Sequence, residues 1–435
     1  MKITCKKIGI NGEGIGYDHR TPVFCDGILV DEVADVTIIE DKKRYKIAKL
    51  NKLLKQSKDR QQPICPIQNT CGGCAFMITN YHKQKEYKTS LLKEALQKYA
   101  NINGSIVRHI HTDNRRLYYR NQCKLPVEER NGKLIAGMYS ANSNHFIGVK
   151  TCYIHDKKVE EIKKHTLDIL NKYHFHSYTK KEKTGIRFLV IRVLENQSHL
   201  TIVTGNTTLP KGVIEDLRNH VDSLFQCINT KKETLDILSG KMLHHFGEEV
   251  ISLHLNETTL SLSPRAFFQL NYEQALSLYD MAISKIDPCD TFVECYCGIG
   301  AMSFLAKDKA KHIIGIENIQ DAVDNANQTA KKHHYDHMQF YCMDASSGLY
   351  KAAISKPIDT LLVDPPRSGL DDAMLEAILT TLPTKLIYIS CNPSTLAKNL
   401  SVLKDAYKVH TIIPFDLFPQ TPHIESITVL SRKRI

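Results

Sequence analysis

The sequence predicts an α/β protein: a doubly wound, Rossmann-like sheet in the C-terminal half, preceded by a small N-terminal β-barrel and a central α+β region. Beyond residue 260, apolar runs alternate regularly with helical stretches, which is typical of βαβ units. These runs lie at 291–295, 313–316, 338–342, 360–363 and 386–389. Residues 1–60 instead contain short strand-like runs separated by glycine turns, as a small barrel does.

Composition indicates a globular chain of several domains with a polyanionic partner. The 435 residues suffice for two or three domains, and 42% of them are hydrophobic. Lys and Arg number 58 against 47 Asp and Glu, a formal net charge of +11, and such an excess favours nucleic acid. The sequence begins without a signal peptide and has no run of about 18 apolar residues, so we expect a cytoplasmic location.

A densely basic stretch from Lys42 to Lys58 closes the predicted barrel region. Such a run is commonly a solvated face of a protein. Beside a small barrel, it is equally compatible with contact to RNA. Both interpretations stay open at this point.

Three closely spaced cysteines follow: Cys65, Cys71 and Cys74. Their density predicts a metal site, and the absence of an export signal argues against a disulfide framework for the thirteen cysteines. A fourth ligand is needed, and Cys123 and Cys152 are the nearest candidates downstream. The spacing permits tetrahedral zinc or an iron–sulfur cluster. We expect the metal to have a structural role and not a redox role.

Acidic residues and glycines follow the strands of the predicted sheet, at the edge where open α/β sheets bind ligands. Glu294 precedes a turn in which Gly298 and Gly300 let a ligand approach the backbone. Glu317 ends the second strand, where a carboxylate can accept hydrogen bonds from two ribose hydroxyls, and Asp344 follows the third. A fourth acid, the first residue of the run Asp-Pro-Pro-Arg, follows the fourth strand. This pattern is typical of S-adenosylmethionine-dependent methyltransferases, and the missing third glycine argues against NAD.

Cys391 follows the fifth strand, in the run Ser-Cys-Asn-Pro, and precedes a helical stretch whose amino end is expected to lower its pKa. Carbon C5 of a pyrimidine is a poor nucleophile, and addition of a thiolate at C6 activates it. A methyltransferase with this cysteine is therefore predicted to act on pyrimidine carbon. A base must then remove the C5 proton. Glu425 and His423 are both candidates, and their residue types alone do not decide between them.

Taken together, the motifs resemble the RNA uracil-C5 methyltransferase family, which makes 5-methyluridine, nearly from end to end. The N-terminal segment resembles a TRAM domain, an OB-like RNA-binding barrel. The cysteine motif resembles the family's [4Fe-4S] site, which makes zinc the less favoured occupant. The segments that carry the resemblance are Gly12–Gly16, Cys65–Cys74, Tyr119–Asn121, Phe267–Asn271, Asp364–Arg367, Ser390–Pro393 and Phe418–Glu425.

The resemblance also implies roles for individual residues. Cys391 is expected to be the nucleophile, Glu425 the base, and Asp364 a catalytic residue that faces the target ring. Arg120 and Phe267 are expected to hold the flipped base, although Arg120 could instead contact phosphate and Phe267 could belong to a core. The expected cofactor-binding residues are Gln269, Tyr296, Gly298, Gly300, Glu317 and Asp344. The expected cluster ligands are Cys65, Cys71, Cys74 and Cys152, in preference to Cys123.

For the whole chain, the resemblance implies three domains. They are a TRAM domain at 1–60, a central domain at 61–76 and 109–259, and a catalytic domain at 77–108 and 260–435. Relatives that carry the cluster mostly modify large-subunit (23S) ribosomal RNA, which is the expected substrate, and we expect a monomer. Two departures from the family pattern are Glu294 in place of Asp and the absence of Pro-Gly near Asp31.

Two other functions compete with this interpretation. An RNA cytosine-C5 methyltransferase also needs a cysteine, but it usually carries that cysteine in a Thr-Cys-Ser context. A ribosome-assembly factor that only binds RNA would be expected to have degraded catalytic motifs. Cys391, Asp364 and Glu425 are all intact here, which argues against binding alone.

Overall fold

The computed structural model describes residues 1–140, 145–231 and 236–434, and it divides into two compact units. The first unit combines Met1–Asn114 with Glu273–Ile435, and the second comprises Arg115–Tyr272. No helix in the described part of the chain has both the length and the apolar character needed to cross a membrane.

The first unit begins with a six-stranded sheet in the order β1-β5-β6-β4-β3-β2. Its strands are β1 (Lys2–Thr4), β2 (Lys7–Ile8), β3 (Gly14–Asp18), β4 (Thr21–Cys25), β5 (Val33–Lys42) and β6 (Tyr45–Lys55). Only Cys5 and Lys6 separate β1 from β2, although these strands form opposite edges of the sheet. The amide of Cys5 donates to Glu32 at 2.9 Å and that of Lys6 to Ile15 at 2.8 Å, so this stretch brings the two edges together.

Two helices connect this sheet to the rest of the unit: α1 (Gln68–Cys71) and α2 (Tyr81–Ala95), the latter prolonged by a π-helical turn at Leu96–Ala100. The side chain of Asn80 caps α2 by accepting from the amide of Lys83 at 2.9 Å. Leu92 and Leu96 are fully buried and belong to the hydrophobic core of the C-terminal sheet.

The second unit contains a seven-stranded sheet in the order β13-β12-β11-β10-β7-β8-β9 and a separate hairpin, β14-β15. Its strands are β7 (Gln122–Arg130), β8 (Lys133–Tyr139), β9 (Phe146–Gly148), β10 (Ile186–Leu194), β11 (Gln197–Thr204), β12 (Ser223–Ile228), β13 (Lys241–Phe246), β14 (Ile251–Leu255) and β15 (Thr258–Leu262), and its helices are α3 (Lys157–Lys172) and α4 (Lys211–Arg218). Apolar side chains of α3 recur every three or four residues and pack on this sheet, as expected for an amphipathic helix.

The C-terminal sheet of the first unit has seven strands in the order β18-β17-β16-β19-β20-β22-β21. They are β16 (Cys289–Cys295), β17 (Ala310–Glu317), β18 (Met338–Cys342), β19 (Thr360–Val363), β20 (Lys385–Ser390), β21 (Tyr407–Phe415) and β22 (Glu425–Arg432). The helices are α5 (Tyr272–Ile283), α6 (Ala301–Leu305), α7 (Gln320–Lys332), α8 (Ala345–Ser355), α9 (Asp372–Thr381) and α10 (Pro393–Leu403).

All pairs in this sheet are parallel except those of β22, which runs antiparallel to both of its neighbours, β20 and β21. The five predicted apolar runs correspond to β16–β20, and β18 and β19 have the predicted bounds. The prediction of a doubly wound α/β sheet is therefore confirmed.

Candidate active site

The carboxyl ends of five parallel strands lie along one edge of the C-terminal sheet. The register pairs Cys295 of β16 with Ile316 of β17 on one side and with Val363 of β19 on the other. Glu317 and Asp364 are the next residues of those two strands, so they emerge at the same edge. This is the edge at which open α/β sheets bind their ligands.

Glu317 is held in a fixed orientation by backbone amides. Its Oε2 accepts from the amide of Gly298 at 3.0 Å, and its Oε1 accepts from those of Asn318 at 2.9 Å and Ile319 at 3.1 Å. The side chain of Ile319 is 58% exposed. A fixed carboxylate beside an exposed apolar side chain offers the combination of polar and apolar contacts that a nucleoside needs.

The turn after β16 is built around left-handed backbone. Tyr296, Gly298 and Gly300 have φ of 64°, 55° and 79°. A Cβ on Gly298 would meet no atom within 4 Å, whereas a Cβ on Gly300 would lie 2.6 Å from Cε1 of Phe340. Gly298 therefore borders open space that a ligand can approach, and Gly300 is needed for packing within the fold.

Two further acids flank this turn. Glu294 is 1% exposed, accepts a hydrogen bond from Ser303 at Oε2, and has no hydrogen-bond partner for Oε1 among the described residues. Burial raises the pKa of Glu294 to about 8. Asp344 caps α8 and accepts from the amides of Ser346 at 3.0 Å and Ser347 at 3.3 Å, and its hydrogen bonds to Ser346 and Ser347 lower its pKa. These acids at the strand ends offer hydrogen-bond acceptors for the hydroxyl and amino donors of a nucleoside cofactor.

Cys391 and Glu425 come together across neighbouring strands. β20 and β22 are antiparallel and pair Ser390 with Ser426. Cys391 follows Ser390 and Glu425 precedes Ser426, so the two residues flank this last pair, at the same edge as Asp364, and the carboxyls of Glu425 and Asp364 both act on the Cys391 thiol. Directly opposed residues of antiparallel strands have Cβ atoms about 5 Å apart. A small planar ring above this edge could therefore contact both side chains.

Burial dominates the ionisation of this group. Together with the carboxyls of Glu425 and Asp364, it raises the pKa of the Cys391 thiol to about 12. Burial and the nearby Asp364 also raise the pKa of Glu425 well above its usual value, and burial raises that of Asp364 to about 7. The prediction that the helix amino end lowers the pKa of Cys391 is therefore wrong, because desolvation and two carboxyl neighbours outweigh the helix.

His423, the other candidate base, lies two residues before Glu425. Burial, together with the positive charges of Arg367 and Lys88, lowers its pKa to about 4. A group with a higher pKa binds a proton more strongly, and the pKa of Glu425 is raised. Glu425 is accordingly the stronger base of the two.

Arg367, which the sequence analysis did not single out, is the basic residue that moderates this acidic group. Its charge lowers the pKa of both Cys391 and Glu425. Its carbonyl accepts from Nδ2 of Asn392 at 3.1 Å, which connects the Asp-Pro-Pro-Arg turn to the beginning of α10. In the sequence, Arg367 could have been identified by its position in a turn that directly follows a predicted parallel strand.

Three of the predicted ligand-binding residues lie in the second unit. Nε of Arg120 donates to the carbonyl of Gln122 at 3.0 Å, and the carbonyl of Gln269 accepts from Nδ2 of Asn121 at 3.0 Å. Phe267 is 71% exposed, so it is not a core aromatic residue. A large aromatic ring exposed to this degree is available for contact with a ligand.

The predicted cluster ligands are divided between the two units. Cys65, Cys71 and Cys74 lie in and beside α1 in the first unit, whereas Cys152 and the alternative Cys123 lie in the second. Within residues 1–140, 145–231 and 236–434, no group of three or more His, Cys, Asp or Glu side chains is arranged to hold a metal ion. The predicted iron–sulfur or zinc site is thus not assembled in this structure, and the prediction rests on cysteine spacing.

Several bacterial proteins match this chain over nearly its whole length. Proteins of Halalkalibacterium halodurans, Enterococcus faecalis and Streptococcus pneumoniae, each called an uncharacterized RNA methyltransferase, are 33%, 34% and 35% identical to it. The alignments cover 98%, 100% and 100% of this chain, and 95%, 98% and 98% of the three relatives.

The fold is also found in a solved structure. The Pyrococcus abyssi tRNA (uracil-54, C5)-methyltransferase, determined in complex with S-adenosyl-L-homocysteine, is 20% identical, and the match has a TM-score of 0.78 over 99% of this chain and 100% of that one. At this level of identity, the likeness shows a common fold. The sequence profile of the tRNA (Uracil-5-)-methyltransferase family matches residues 80–433. With the full-length relatives, this match shows that the chain belongs to the tRNA (uracil-5-)-methyltransferase family.

Proposed function

We propose that the chain methylates C5 of uridine in RNA, with S-adenosylmethionine as methyl donor and Cys391 as nucleophile. The observation that carries the proposal is the pairing of Ser390 with Ser426, which brings the adjoining Cys391 and Glu425 to the same end of neighbouring strands. A thiol and a strong base facing one small space are what addition at C6 and proton removal at C5 require. Methyl transfer to nitrogen or oxygen would need neither a thiol nor a base at this place.

The cofactor would be held at the carboxyl ends of β16, β17 and β18. Glu317 would accept from the ribose hydroxyls, and Tyr296, Gly298, Gly300 and Asp344 would line the remainder of the site. The family resemblance also assigns Gln269 to the cofactor. When bound, S-adenosylmethionine supplies an electrophilic methyl group. The fold shared with an enzyme solved with S-adenosyl-L-homocysteine supports this assignment.

Cys391, Glu425 and Asp364, at the same edge of the C-terminal sheet, can carry out the chemistry. A uridine leaves its RNA stack, and Phe267 and Arg120 would hold it. The Cys391 thiol gives its proton to water, its sulfur forms a bond to C6, and the electrons of the C5–C6 double bond make C5 nucleophilic. After C5 has gained the methyl group, the carboxylate form of Glu425 takes the C5 proton. The double bond then re-forms and the S–C6 bond breaks, which returns Cys391 as a thiolate. Asp364, with a pKa of about 7, can hydrogen-bond the ring in either protonation state.

For the substrate, we propose large-subunit ribosomal RNA. Support comes from the cysteine motif, because the relatives that carry the cluster mostly modify large-subunit ribosomal RNA. Transfer RNA is the alternative, because it stands in the family's name and is the substrate of the Pyrococcus abyssi enzyme. Incubation of the enzyme with unmodified 23S fragments and with unmodified tRNA, followed by mapping of 5-methyluridine, distinguishes them.

We also propose, from cysteine spacing alone, that Cys65, Cys71, Cys74 and Cys152 bind a [4Fe-4S] cluster with a structural role. Protein purified without oxygen should contain about four iron and four acid-labile sulfide atoms per chain. Cys74→Ser should lose both. Stoichiometric zinc in place of iron would support the alternative occupant, and fully active, metal-free wild-type protein would contradict the proposal.

The central experiment traps the enzyme on RNA that contains 5-fluorouridine. Fluorine at C5 cannot leave as a proton, so the enzyme should stay attached through Cys391 as an adduct that survives denaturation. Cys391→Ala should form none, whereas the control Cys289→Ala, at the amino end of β16, should form as much as wild type. Trapping on 5-fluorocytidine instead would identify a cytosine enzyme. If the protein binds RNA but forms no adduct with either fluorinated base, and does not modify intact ribosomal RNA, the result would favour a protein that only binds RNA.

A further inference from the structure

The segment that leads to Glu425 is a buried loop of unusual length. Residues 416–424 connect β21 to β22, whereas hairpin connections are usually of two to five residues. Asp416, Leu417, Gln420 and Ile424 are almost completely buried. Loops usually lie on the surface, because buried backbone groups need hydrogen-bond partners. The partners of this loop therefore decide its conformation.

Side chains of α2 supply several of those partners. Oε1 of Gln84 accepts from the amide of Gln420 at 3.0 Å, and Nε2 of Gln84 donates to Oε1 of Gln420 at 2.9 Å. Nζ of Lys88 donates to the carbonyl of Phe418 at 3.0 Å. Gln420 has a φ of 71°, which a residue other than glycine adopts at a cost of about 1–2 kcal/mol. Gln84 thus holds the loop at its most strained residue.

A buried ion pair fixes the beginning of the same loop. Lys88 and Asp416 are both fully buried, and Nζ of Lys88 lies 2.5 Å from Oδ1 of Asp416. Tyr81, also on α2, donates to Oδ2 of Asp416 at 2.9 Å. A buried charge pair is favourable only with exact geometry and additional hydrogen bonds, so it specifies one arrangement of the two segments.

We propose that Gln84 and Lys88 are positioning residues for the base: through loop 416–424, they hold Glu425 where it can remove the C5 proton. The inference rests on the proposed function, because it assigns Glu425 the proton-removal step. Neither side chain is proposed to touch RNA or cofactor. Nε2 of Gln84 also donates to the carbonyls of Phe76 at 2.9 Å and Thr79 at 3.0 Å, so the test needs a readout that separates a displaced base from a general loss of structure.

This assignment predicts an unusual catalytic defect. Addition of Cys391 to C6 and transfer of the methyl group to C5 come before proton removal. A displaced Glu425 leaves both steps possible but leaves the C5 proton in place, so the double bond cannot re-form and sulfur cannot leave. The enzyme should then accumulate as a covalent adduct with methylated, ordinary uridine. A fold-destabilising substitution would instead diminish every step together.

The experiment compares Gln84→Met and Lys88→Met with the control Lys93→Met, an exposed lysine of the same helix, and with Glu425→Gln as the reference for a lost base. Because Lys88→Met leaves the Asp416 charge buried without its partner, the uncharged Gln84→Met keeps the test interpretable if Lys88→Met fails to fold. The substrate is an unmodified RNA on which wild type is active. Turnover, denaturation-resistant adduct on ordinary uridine and trapping on 5-fluorouridine are measured for each.

We expect turnover of Gln84→Met and Lys88→Met to fall about 100-fold, as for a displacement of roughly 1 Å of a catalytic group. Adduct on ordinary uridine should rise as in Glu425→Gln, while trapping on 5-fluorouridine stays near the wild-type level. Equal loss of turnover and trapping in folded Gln84→Met, or turnover like that of Lys93→Met, would overturn the positioning role. If wild type itself forms no adduct with 5-fluorouridine, the proposed function fails, and the inference fails with it.

Discussion

Cys391 directly precedes the capped amino end of an eleven-residue helix, and yet its thiol holds its proton more tightly than a free cysteine does. A helix amino end stabilises a nearby anion by about 0.3–1 kcal/mol, whereas one pKa unit corresponds to about 1.4 kcal/mol. The rise of the Cys391 pKa from 9.0 to about 12 is therefore several times larger than the helix effect. The sequence was sufficient to predict the helix end, but not the burial or the carboxyls that β19 and β22 bring beside the thiol.

The pH dependence of trapping follows from this resting state. Below pH 9, the thiolate is a small fraction of Cys391 and grows up to about tenfold per pH unit. We expect the rate of adduct formation with 5-fluorouridine RNA to rise continuously between pH 6 and pH 9, measured under single-turnover conditions. A plateau reached below pH 8 would show instead that the thiol of the RNA complex ionises near neutrality.

Glu294→Gln should change how stability depends on pH. Burial raises the pKa of Glu294 from 4.5 to about 8, so the folded state binds this proton more tightly than the unfolded state. The resulting stabilisation is complete below pH 4.5 and is lost as pH rises through about 8. We expect cofactor-free Glu294→Gln to match wild type at pH 4.5 and to exceed it by up to about 5 kcal/mol at pH 9, measured by denaturant unfolding. If the free energy of unfolding of the two proteins changed with pH in the same way, this prediction would be wrong.

At the scale of elements, hydrophobic periodicity was enough to predict the strands of the C-terminal sheet. It could not predict how those strands pair. The bounds of β18 and β19 follow from short apolar runs because strands buried on both faces are continuously hydrophobic. Nothing in the sequence indicates that β22 inserts between β20 and β21, and this insertion is what brings Glu425 close to Cys391. For that reason, Glu425 and His423 could not be separated by residue type, although the resemblance selected Glu425.

The glycine turn after β16 offers a matched pair of substitutions. Gly298→Ala places a methyl group in open space at left-handed φ, so we expect it to lose about 1 kcal/mol of stability but to weaken S-adenosylmethionine binding strongly. Gly300→Ala adds a clash with Phe340, so we expect a stability loss of at least about 2 kcal/mol. Calorimetric binding and denaturant unfolding test both, and unimpaired cofactor binding by Gly298→Ala would exclude this turn from the site.

At the scale of the whole molecule, the excess of positive charge suits a nucleic-acid partner but does not identify the contact surface. The β5–β6 hairpin carries Lys43 and Arg44 at its exposed tip. Cysteine spacing predicted a cluster, but it could not show that Cys152 belongs to a different unit from Cys65, Cys71 and Cys74. Net charge and residue spacing are properties of the linear sequence, whereas ligand sets and binding surfaces depend on how the chain folds.

We expect the hairpin tip to contact RNA phosphates. The double substitution Lys43→Glu/Arg44→Glu should weaken RNA binding and reduce the slope of log K against log salt by about 1 to 2, one increment per lost phosphate contact. The control is Lys180→Glu/Lys181→Glu, which makes the same change of net charge at exposed residues of the second unit. Binding measured between 50 and 300 mM salt by fluorescence anisotropy (roughly the range in which counterion release is resolved) should separate the two. Equal slopes would mean that only overall charge matters.

The position of β22 also has a consequence for biosynthesis. A ribosome releases the amino-terminal parts of a chain first, and those parts begin to fold during synthesis. β22 is the last strand of the chain, and it occupies an interior position between β20 and β21. Until β22 emerges, β20 and β21 each have an unpaired edge where β22 will lie, and Glu425 is absent from the neighbourhood of Cys391. Pairing of β22 therefore completes the sheet and brings the base to Cys391 in one event. A chain in which β22 is not yet paired would carry the nucleophile without the group that releases the adduct.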